Sequence, residues 1–412
     1  MTLIDDRLDT PRESTSHDGA DFATFRARFP LLRDRLYVNV GARGLISEAA
    51  HAAGARVLDG HHHFILGKPE REVMRASART EFARLIGAGA DEISITQNVS
   101  HGVNWVANGI DWRAGDNIVL GGELEHPNNV FIWLSLARRL GLDVRFAPLL
   151  GAGEIDTAGL TALIDARTRA VALASPTLAP GFRADLAAIG AAARAHDALL
   201  MVDAVQAAGV LDLDVKTLGI DALATSTSKG LLGVMGLGFL YVSRDWSPRL
   251  EPMFAAIANV DQDGSTDDSF NGTRFAFHID GRRFEAGNTN WCGLAVARVA
   301  LTELNALGIS RIQAHAVGLA DRLRDGLDAL GFPVLHPTDP AARSHLVTLG
   351  ALAPTGAASH TLDEPATQRF AEALKAHEVG HSIRRGVLRF GFHAYNNEDD
   401  VARLLEIARS IA

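Results

Sequence analysis

Short apolar runs that favour strands alternate with alanine-rich runs that favour helices along most of this chain, and this alternation limits the possible folds most strongly. The segments between the apolar runs, such as 185–196, carry apolar residues three and four positions apart, as amphipathic helices do. Strand, helix and strand in repetition predict an α/β fold, a parallel sheet covered by helices on both faces. The predicted strands are Ile93–Thr96, Asn117–Leu120, Val144–Phe146, Ala170–Ala174, Leu199–Val202, Ala222–Thr225 and Gly238–Val242.

The pattern changes in the last third of the chain. Residues 259–283 are rich in Asp, Gly, Ser and Thr and predict a long irregular loop, which is usually functional or mobile. A long helix over Trp291–Leu307 and a mixed α and β segment follow, and the chain closes with an amphipathic helix that opens at Asn397. We therefore predict a disordered segment over residues 1–20, a large domain over 21–300 and a small C-terminal α+β domain over 301–412.

Composition excludes several classes of protein. Lys+Arg 40 against Asp+Glu 49 gives a formal charge of −9, which disfavours nucleic acid and anionic membrane as partners. The single cysteine, Cys292, excludes an internal disulfide and a multi-cysteine metal site, and it favours a reducing compartment. The longest apolar run, Leu231–Val242, is too short to span a bilayer, and the N-terminal residues form no targeting signal. We expect a cytoplasmic protein that acts on a small molecule.

Polar side chains follow two neighbouring strands at the edge where an α/β sheet binds its ligands. Asp203 comes at the end of one predicted strand, and Ser226 and Lys229 come at the end of the next. An amine and a carboxylate are therefore expected to meet in one crevice. Taken alone, the same residues are also compatible with a turn-capping Asp and a surface Lys. No metal site is predicted, because His61–His63 point in different directions on a helix. The glycines of 230–238 lack the spacing of a dinucleotide-binding loop.

These residues belong to motifs that resemble the class V aminotransferase family of pyridoxal 5′-phosphate (PLP) enzymes of fold type I. This family includes cysteine desulfurases and isopenicillin N epimerase-like proteins. The resemblance runs from about Phe29 to the end of the chain. It implies a large domain with a mainly parallel, seven-stranded-type sheet between helices, plus a smaller C-terminal α+β domain. Besides the strand-end residues, the matching segments are Val38–Gly44, Thr96–Asn104, Glu125–Asn129, Arg283–Asn290 and Gly386–Asn396.

The resemblance implies roles around the cofactor ring. Lys229 would form the Schiff base with PLP and act as a general base. Asp203 would pair with the pyridine nitrogen and keep it protonated, so that the ring withdraws electrons. Gln206 would bind the phenolic oxygen, and His126 would stack on the ring face and shuttle protons.

The resemblance also implies roles around the phosphate and the substrate. The backbone amide of Val99 and the hydroxyls of Ser100 and Ser226 would hold the phosphate. Asn288 would reach the phosphate of a neighbouring subunit, which makes the protein a homodimer with a composite site. Arg389 would bind the substrate α-carboxylate. Arg43 is unusual in the N-terminal loop that matches the family, and its charge makes it a candidate second anionic clamp.

Two departures from the family pattern bear on the reaction. The segment 176–181 lacks the Asn that often contacts the phenolic oxygen, and Thr177 is the candidate substitute. No cysteine lies between Gly308 and Arg389, where desulfurases carry the persulfide-forming residue, so persulfide chemistry is disfavoured. Cys292 is expected to be a buried small residue.

The sequence leaves the reaction open. An aminotransferase acting on an amino acid or related amine is the predicted function. A β-eliminating lyase of the C–S type is the main alternative, because it needs no cysteine, and an epimerase would use the same residues. A non-catalytic sensor with the same fold is a remote alternative, because Lys229, Asp203 and Arg389 are all present.

Overall fold

The structure is a computed structural model that describes residues 21–63, 67–262, 274–354 and 360–411. Its strands are β1 Ile93–Thr96, β2 Asn117–Leu120, β3 Asp143–Phe146, β4 Leu149–Leu150, β5 Glu154–Ile155, β6 Thr168–Ala174, β7 Leu199–Asp203, β8 Ala222–Ser226, β9 Gly238–Val242, β10 Val260–Gln262, β11 Phe275–Phe277, β12 Leu346–Gly350, β13 Ser382–Arg384 and β14 Val387–Gly391. Its helices are α1 Phe22–Arg26, α2 Glu48–His63, α3 Lys68–Leu85, α4 Val99–Gly109, α5 Pro127–Leu140, α6 Thr157–Ala162, α7 Leu186–Ala195, α8 Trp291–Leu307, α9 Ile309–Ala329, α10 Pro365–Ala376 and α11 Glu398–Arg409.

The large sheet has seven strands in the order β1-β9-β8-β7-β6-β2-β3. The pairs from β8 through β7, β6 and β2 to β3 are parallel, while β9 runs antiparallel to both β8 and β1. The predicted mainly parallel sheet is therefore confirmed, and every predicted strand occurs within two residues of its expected bounds. Parallel strands place their carboxyl ends at one edge, and this edge carries Asp203 and Ser226.

Alternate residues of the central strands pack into two separate cores. On β7, Leu200 and Val202 face one apolar cluster, whereas Leu199 and Met201 face the other. This alternation follows from the two-residue period of a strand, and it shows that helices cover both faces of the sheet. The segment 185–196, between β6 and β7, contains α7. Asp185 caps the first turn of this helix by accepting from Ala188 N–H at 3.0 Å.

The small domain is built around the antiparallel sheet β12-β14-β13. Its apolar core contains residues of α9, α10 and α11 together with Leu36 and Val38 from the N-terminal part of the chain. The segment 36–39 runs beside this sheet: Val38 accepts from Gly391 N–H at 2.7 Å and donates to Gly380 O at 3.3 Å. Residues near both ends of the sequence therefore form one unit.

The prediction of an irregular loop over 259–283 is wrong for part of this range. β10 and β11 pair antiparallel, with Val260 opposite Phe277. Alternating apolar residues in 275–277 supply the strand pattern, which the polar composition of the surrounding segment hides. Residues 263–273, and the predicted disordered segment 1–20, lie outside the described residues.

Within the described ranges, no single helix is long and apolar enough to cross a bilayer. The helices α8 and α9 meet the length and composition criterion only together, and they are bent by 82° at their junction.

Candidate active site

A cavity of about 130 Å³ lies at the carboxyl ends of β7 and β8, beside the first turn of α4. It opens toward a larger cavity of about 600 Å³, with which it shares His126, Leu178 and Lys229. The small cavity contains most of the residues that the sequence motifs single out. Its lining includes Val99, His126, Asn128, Asn129, Asp203, Gln206, Ser226, Ser228 and Lys229.

Lys229 lies in the tight turn after β8, between the two cavities. Burial and the charges of Arg389 and Arg384 together lower its pKa to about 8, against the opposing effect of Asp203. Among the described residues, no carboxylate is within ion-pair distance of its Nζ. The N-terminal loop holds the turn in place, because Gly44 N–H donates to Ser228 O at 2.9 Å. The result is a half-buried amine that is readily neutral and free to react.

Asp203 belongs to a buried chain of two carboxyl groups joined by an amide. Asn129 Nδ2 donates to Asp203 Oδ2 at 2.7 Å and to Glu125 Oε2 at 3.2 Å. Val205 N–H donates to the other Asp203 oxygen at 2.8 Å, and Ala174 N–H donates to Glu125 Oε1 at 2.7 Å. Burial raises the pKa of Asp203 and raises that of Glu125 to about 7. A buried carboxylate without a cationic partner is therefore held ready for one.

The first turn of α4 supplies the predicted phosphate donors. Val99 N–H lies at the start of the helix and donates to Ser226 Oγ at 2.9 Å. Ser100 Oγ accepts from Asn128 Nδ2 at 3.1 Å. Backbone amides at a helix N-terminus and adjacent hydroxyls form an anion site. The structure thus brings the three predicted phosphate residues to one point.

His126 and Gln206 lie on the walls between this point and the substrate side. His126 precedes α5, and its Nδ1 accepts from Asn128 N–H at 3.2 Å. Its pKa is lowered by burial and by the charge of Lys229. Gln206 is buried, its Nε2 donates to Gly41 O at 3.1 Å, and its Oε1 has no hydrogen-bond partner. Both side chains therefore have a polar atom left over for a ligand.

Arg389 lines the larger cavity from the small domain. The side chain is only 1% exposed, its Nη1 donates to Leu178 O at 2.7 Å, and its Nη2 is unpartnered. Burial lowers its pKa to about 9. A buried guanidinium with an unused N–H group facing a cavity is a site for a carboxylate.

Four sequence-predicted residues line neither cavity: Ser100, next to Val99 in α4, and the following three. Arg43 is exposed and its Nη2 lies 3.7 Å from Met235 Sδ. Thr177 is buried and its Oγ1 accepts from Gly181 N–H at 3.1 Å. Asn288 is exposed near Gln97 and does not line either cavity, so its role toward a second subunit stays a prediction.

Cys292 and the three histidines also lie away from the cavities. Cys292, half-buried at the start of α8, packs against the apolar cluster of Ala53 and Val57. His61–His63 end α2, and in the described part of the chain no group of three His, Cys, Asp or Glu could hold a metal ion.

Three site residues were missed by the sequence reasoning: Glu125, Asn129 and Arg384. The spacing of Glu125 and Asn129, four positions apart around the start of a helix, was an available signal. For Arg384, the signal was its position in an apolar-polar alternation, on the other side of a short Gly-containing turn from Arg389. Both signals become informative only when the long-range partners, Asp203 and Arg389, are placed beside them.

The residues fit PLP, as three groups in the adjoining cavities show. The Nζ of Lys229 suits an aldehyde carbon, the Asp203 carboxylate suits a protonated pyridine nitrogen, and the Oε1 of Gln206 is an orphaned buried atom on the wall between them. The α4 N-terminus with Ser100 and Ser226 suits the phosphate.

Comparisons with known proteins agree with this fit. The family model "Aminotransferase class-V" matches residues 60–404. A probable cysteine desulfurase of Methanothermobacter thermautotrophicus is 30% identical over 94% of this chain and 97% of its own. A cysteine desulfurase of Dickeya dadantii is 32% identical over 70% of this chain and 72% of its own.

Solved structures share the fold. The apo cysteine desulfurase of Thermococcus onnurineus NA1 superposes with a TM-score of 0.79 at 25% identity, covering 94% of this chain and 97% of that chain. A mutant of C-DES with glycine covalently linked to its PLP cofactor superposes with a TM-score of 0.81 at 24% identity, covering 94% of this chain and 99% of that chain. With the matched family model and these cavities, the chain belongs to the class V aminotransferase family of PLP-dependent enzymes, and it has the fold of type I.

Proposed function

We propose that this protein is a PLP-dependent lyase that cleaves the C–S bond of a β-thio-substituted L-amino acid by β-elimination. The observation that carries the proposal is a pair of adjoining cavities that share Lys229: Asp203 lines the smaller one, Arg389 lines the larger one, and no thiol lines either. The net reaction consumes one water: the amino acid yields a thiol, pyruvate and ammonium. A cytoplasmic homodimer that shares residues between its sites completes the proposal.

The relatives support C–S chemistry more than transamination. Relatives at 30% and 32% identity are named cysteine desulfurases, and a desulfurase removes sulfur from the β-carbon of its amino acid. Transamination, the function predicted from the sequence, is supported only by relatives at 26% and 29% identity that are named uncharacterised aminotransferases. The bond that we expect this protein to cleave is therefore the one between Cβ and sulfur.

The absence of a second cysteine favours elimination over persulfide transfer. Cys292 is the only cysteine of the chain, and it packs on the far side of α8, against Ala53 and Val57. A persulfide mechanism needs a thiolate that attacks the substrate sulfur. In elimination the sulfur instead leaves with the bonding electron pair and takes up a proton, so no protein thiol is required.

PLP, when bound, supplies an electron-withdrawing ring conjugated to the substrate α-carbon. The chain's own residues orient the substrate and transfer its protons. Arg389 binds the α-carboxylate and so fixes the orientation of the Cα–H bond. The Nζ of Lys229, with its pKa lowered to about 8, is the base for the Cα proton. His126, at the mouth shared by both cavities, is placed to give a proton to the departing sulfur.

Lys229→Ala tests the anchor of this mechanism. Borohydride reduction of the holoenzyme should add a phosphopyridoxyl group to the peptide that contains Lys229, as read by mass spectrometry. Lys229→Ala should lack the adduct and lose the release of pyruvate and ammonia from S-alkyl cysteines by at least about a thousandfold. Lys375→Ala, which removes an exposed lysine of α10, is the matched control and should behave as wild type.

The same assay separates the reaction types. Equal amounts of thiol, pyruvate and ammonia support elimination. Conversion of the cofactor to its pyridoxamine form, with no thiol released, would show a transaminase and overturn the proposed function.

A further inference from the structure

A second guanidinium, that of Arg384, faces the substrate cavity beside Arg389. Arg384 ends β13, and Arg389 lies in the neighbouring strand β14. The register pairs Arg384 with Val387 and Ser382 with Arg389. Directly paired residues share one face of a sheet, and so do residues two apart, so Arg384 and Arg389 are diagonal neighbours on the same face. The residues between them, Ile383 and Leu388, face the apolar core.

The turn of this hairpin keeps Arg384 in place. Arg385 and Gly386 connect the strands with φ of +50° and +80°, as in a two-residue hairpin turn. The side chain of Arg385 is already occupied, since it donates to Glu123 O at 2.5 Å and to Ala353 O at 3.3 Å. Arg384 therefore projects from a fixed strand end.

Among the residues that the structure describes, none compensates the charge of Arg384. Its guanidinium makes one hydrogen bond, from Nη1 to Ile383 O at 2.8 Å, and no described carboxylate lies within ion-pair distance. Its charge adds to the effect of burial in lowering the pKa of Arg389, and it acts in the same direction on Lys229. Several cations thus face one cavity, and in the described ranges none of the acids that line it forms an ion pair with Arg384.

The acids that face the cavity do not supply the missing charge. Glu125 is bound to Ala174 N–H and Asn129, and burial raises its pKa to about 7. Asp203 belongs to the deeper cavity and to the cofactor ring. Glu123, at the rim, lines the cavity as an exposed residue and is not paired with Arg384. A substrate with a single carboxylate would satisfy Arg389 and leave Arg384 unpaired.

We propose that Arg384 binds a second carboxylate, carried by the sulfur-linked arm of the substrate. The inference rests on the proposed function, because it names the substrate class of that site: cysteine thioethers whose leaving thiol ends in a carboxylate. A diagonal pair of strand residues is about 7–8 Å apart, which suits two carboxylates separated by a short thioether chain. The cavity, about 600 Å³ in volume, is larger than an unsubstituted cysteine needs. A guanidinium binds a carboxylate through two parallel N–H groups.

The test compares two thioethers that differ only in the end of the arm. S-carboxymethyl-L-cysteine ends in a carboxylate and S-ethyl-L-cysteine ends in a methyl group. With the holoenzyme, kcat/KM for the first should exceed that for the second roughly 10- to 100-fold. Arg384→Gln should remove this preference by weakening the carboxymethyl substrate far more than the ethyl substrate, and Arg384→Lys should restore part of it. Arg403→Gln, an exposed arginine of α11, is the matched control.

A binding measurement separates failure of this inference from failure of the proposed function. Adipate has the chain length of the carboxymethyl substrate and no amine, and hexanoate lacks its second carboxylate. Calorimetry on the holoenzyme should show adipate binding roughly 10- to 100-fold tighter than hexanoate, and Arg384→Gln should abolish the difference. Equal binding of the two acids by the wild type, or an adipate preference kept by Arg384→Gln, overturns the role of Arg384. Absence of turnover with adipate still preferred refutes only the lyase.

Discussion

At the scale of single residues, a buried acid acts on the site through a neighbouring amide. Glu125 contacts Asn129, which contacts Asp203, so the protonation of Glu125 acts across one amide on the carboxylate that is expected to pair with the cofactor. Asn129 Oδ1 has no partner, which leaves this chain of contacts one hydrogen bond short. Incompletely satisfied buried networks respond strongly to a change in charge.

Glu125→Gln should flatten the pH dependence of stability. Burial raises the pKa of Glu125 from 4.5 to about 7 in the folded state. Between these values the folded protein keeps a proton that the unfolded chain releases, so the free energy of unfolding falls as pH rises. The loss amounts to roughly 3 kcal/mol and is complete above pH 7. Glu125→Gln should not show this loss of stability, because its side chain does not titrate.

Urea unfolding of the cofactor-free protein at several pH values between 4.5 and 8 measures this effect. The difference between wild type and Glu125→Gln should change by roughly 3 kcal/mol over this range. Two curves that stay parallel across the range would contradict the raised pKa.

At the scale of elements, the reactive turn after β8 is held by close backbone approach. A Cβ atom at Gly44 would lie 2.1 Å from the carbonyl oxygen of Lys229. The backbone of Gly44 also donates to Ser228, so the N-terminal loop and the lysine turn are fixed against each other. A side chain at this position forces one of the two segments to move.

Gly44→Ala should lower stability by about 1–3 kcal/mol and weaken retention of PLP, because the Lys229 turn is displaced. Thermal unfolding and dialysis against buffer without cofactor measure the two effects. Gly318→Ala is the control: this glycine lies in α9 with nothing within 4 Å of the added Cβ. It should raise stability by up to about 1 kcal/mol. Similar behaviour of the two variants would refute the steric explanation.

Elements whose pattern is local could be predicted from the sequence. Gly238–Val242 and Trp291–Leu307 were predicted with the bounds of β9 and α8, because each is a continuous run with its own end signals. The strand-end residues Asp203 and Lys229 followed from the same logic. The β10–β11 hairpin was missed, because its pairing joins strands on both sides of a polar segment.

Residues that depend on register could not be found in this way. Arg384 faces the cavity only because β13 pairs with β14 in one of two possible alternations, and a shift of one residue would turn it to the core. Asn129 is significant only because β7 brings Asp203 to it from a distant part of the chain. Such contacts are properties of the assembled sheet.

At the scale of the whole molecule, the position of Asn288 agrees with a site shared between subunits. The loop that carries it is anchored by Glu285, which accepts from Arg79 Nη2 at 2.8 Å and from Ile95 N–H at 2.7 Å. Asn288 itself is exposed and away from Lys229 of its own chain. A firmly anchored loop with an exposed amide is suited to contact another copy.

Heterodimers of two variants, each with one altered PLP-site residue, test this arrangement. Asn288→Ala should weaken PLP binding roughly 10-fold, because one phosphate hydrogen bond is lost. If Asn288 acts on the partner's phosphate, heterodimers of Asn288→Ala with Lys229→Ala should contain one fully wild-type site and regain tight PLP binding at that site. Analytical ultracentrifugation of the wild type should show a dimer. Unchanged affinity in the mixed sample would assign Asn288 to its own chain's surface.

The pairing of residues 36–39 with the small sheet sets an order of events during protein synthesis. The early segment has its hydrogen-bond partners, at Gly380 and Gly391, only after almost everything else has been translated. The lysine turn and the large sheet are made well before that moment. The lysine turn is therefore made before the N-terminal loop that holds it has found its partners in the small sheet, and we expect both parts of the site to be completed together, late in synthesis.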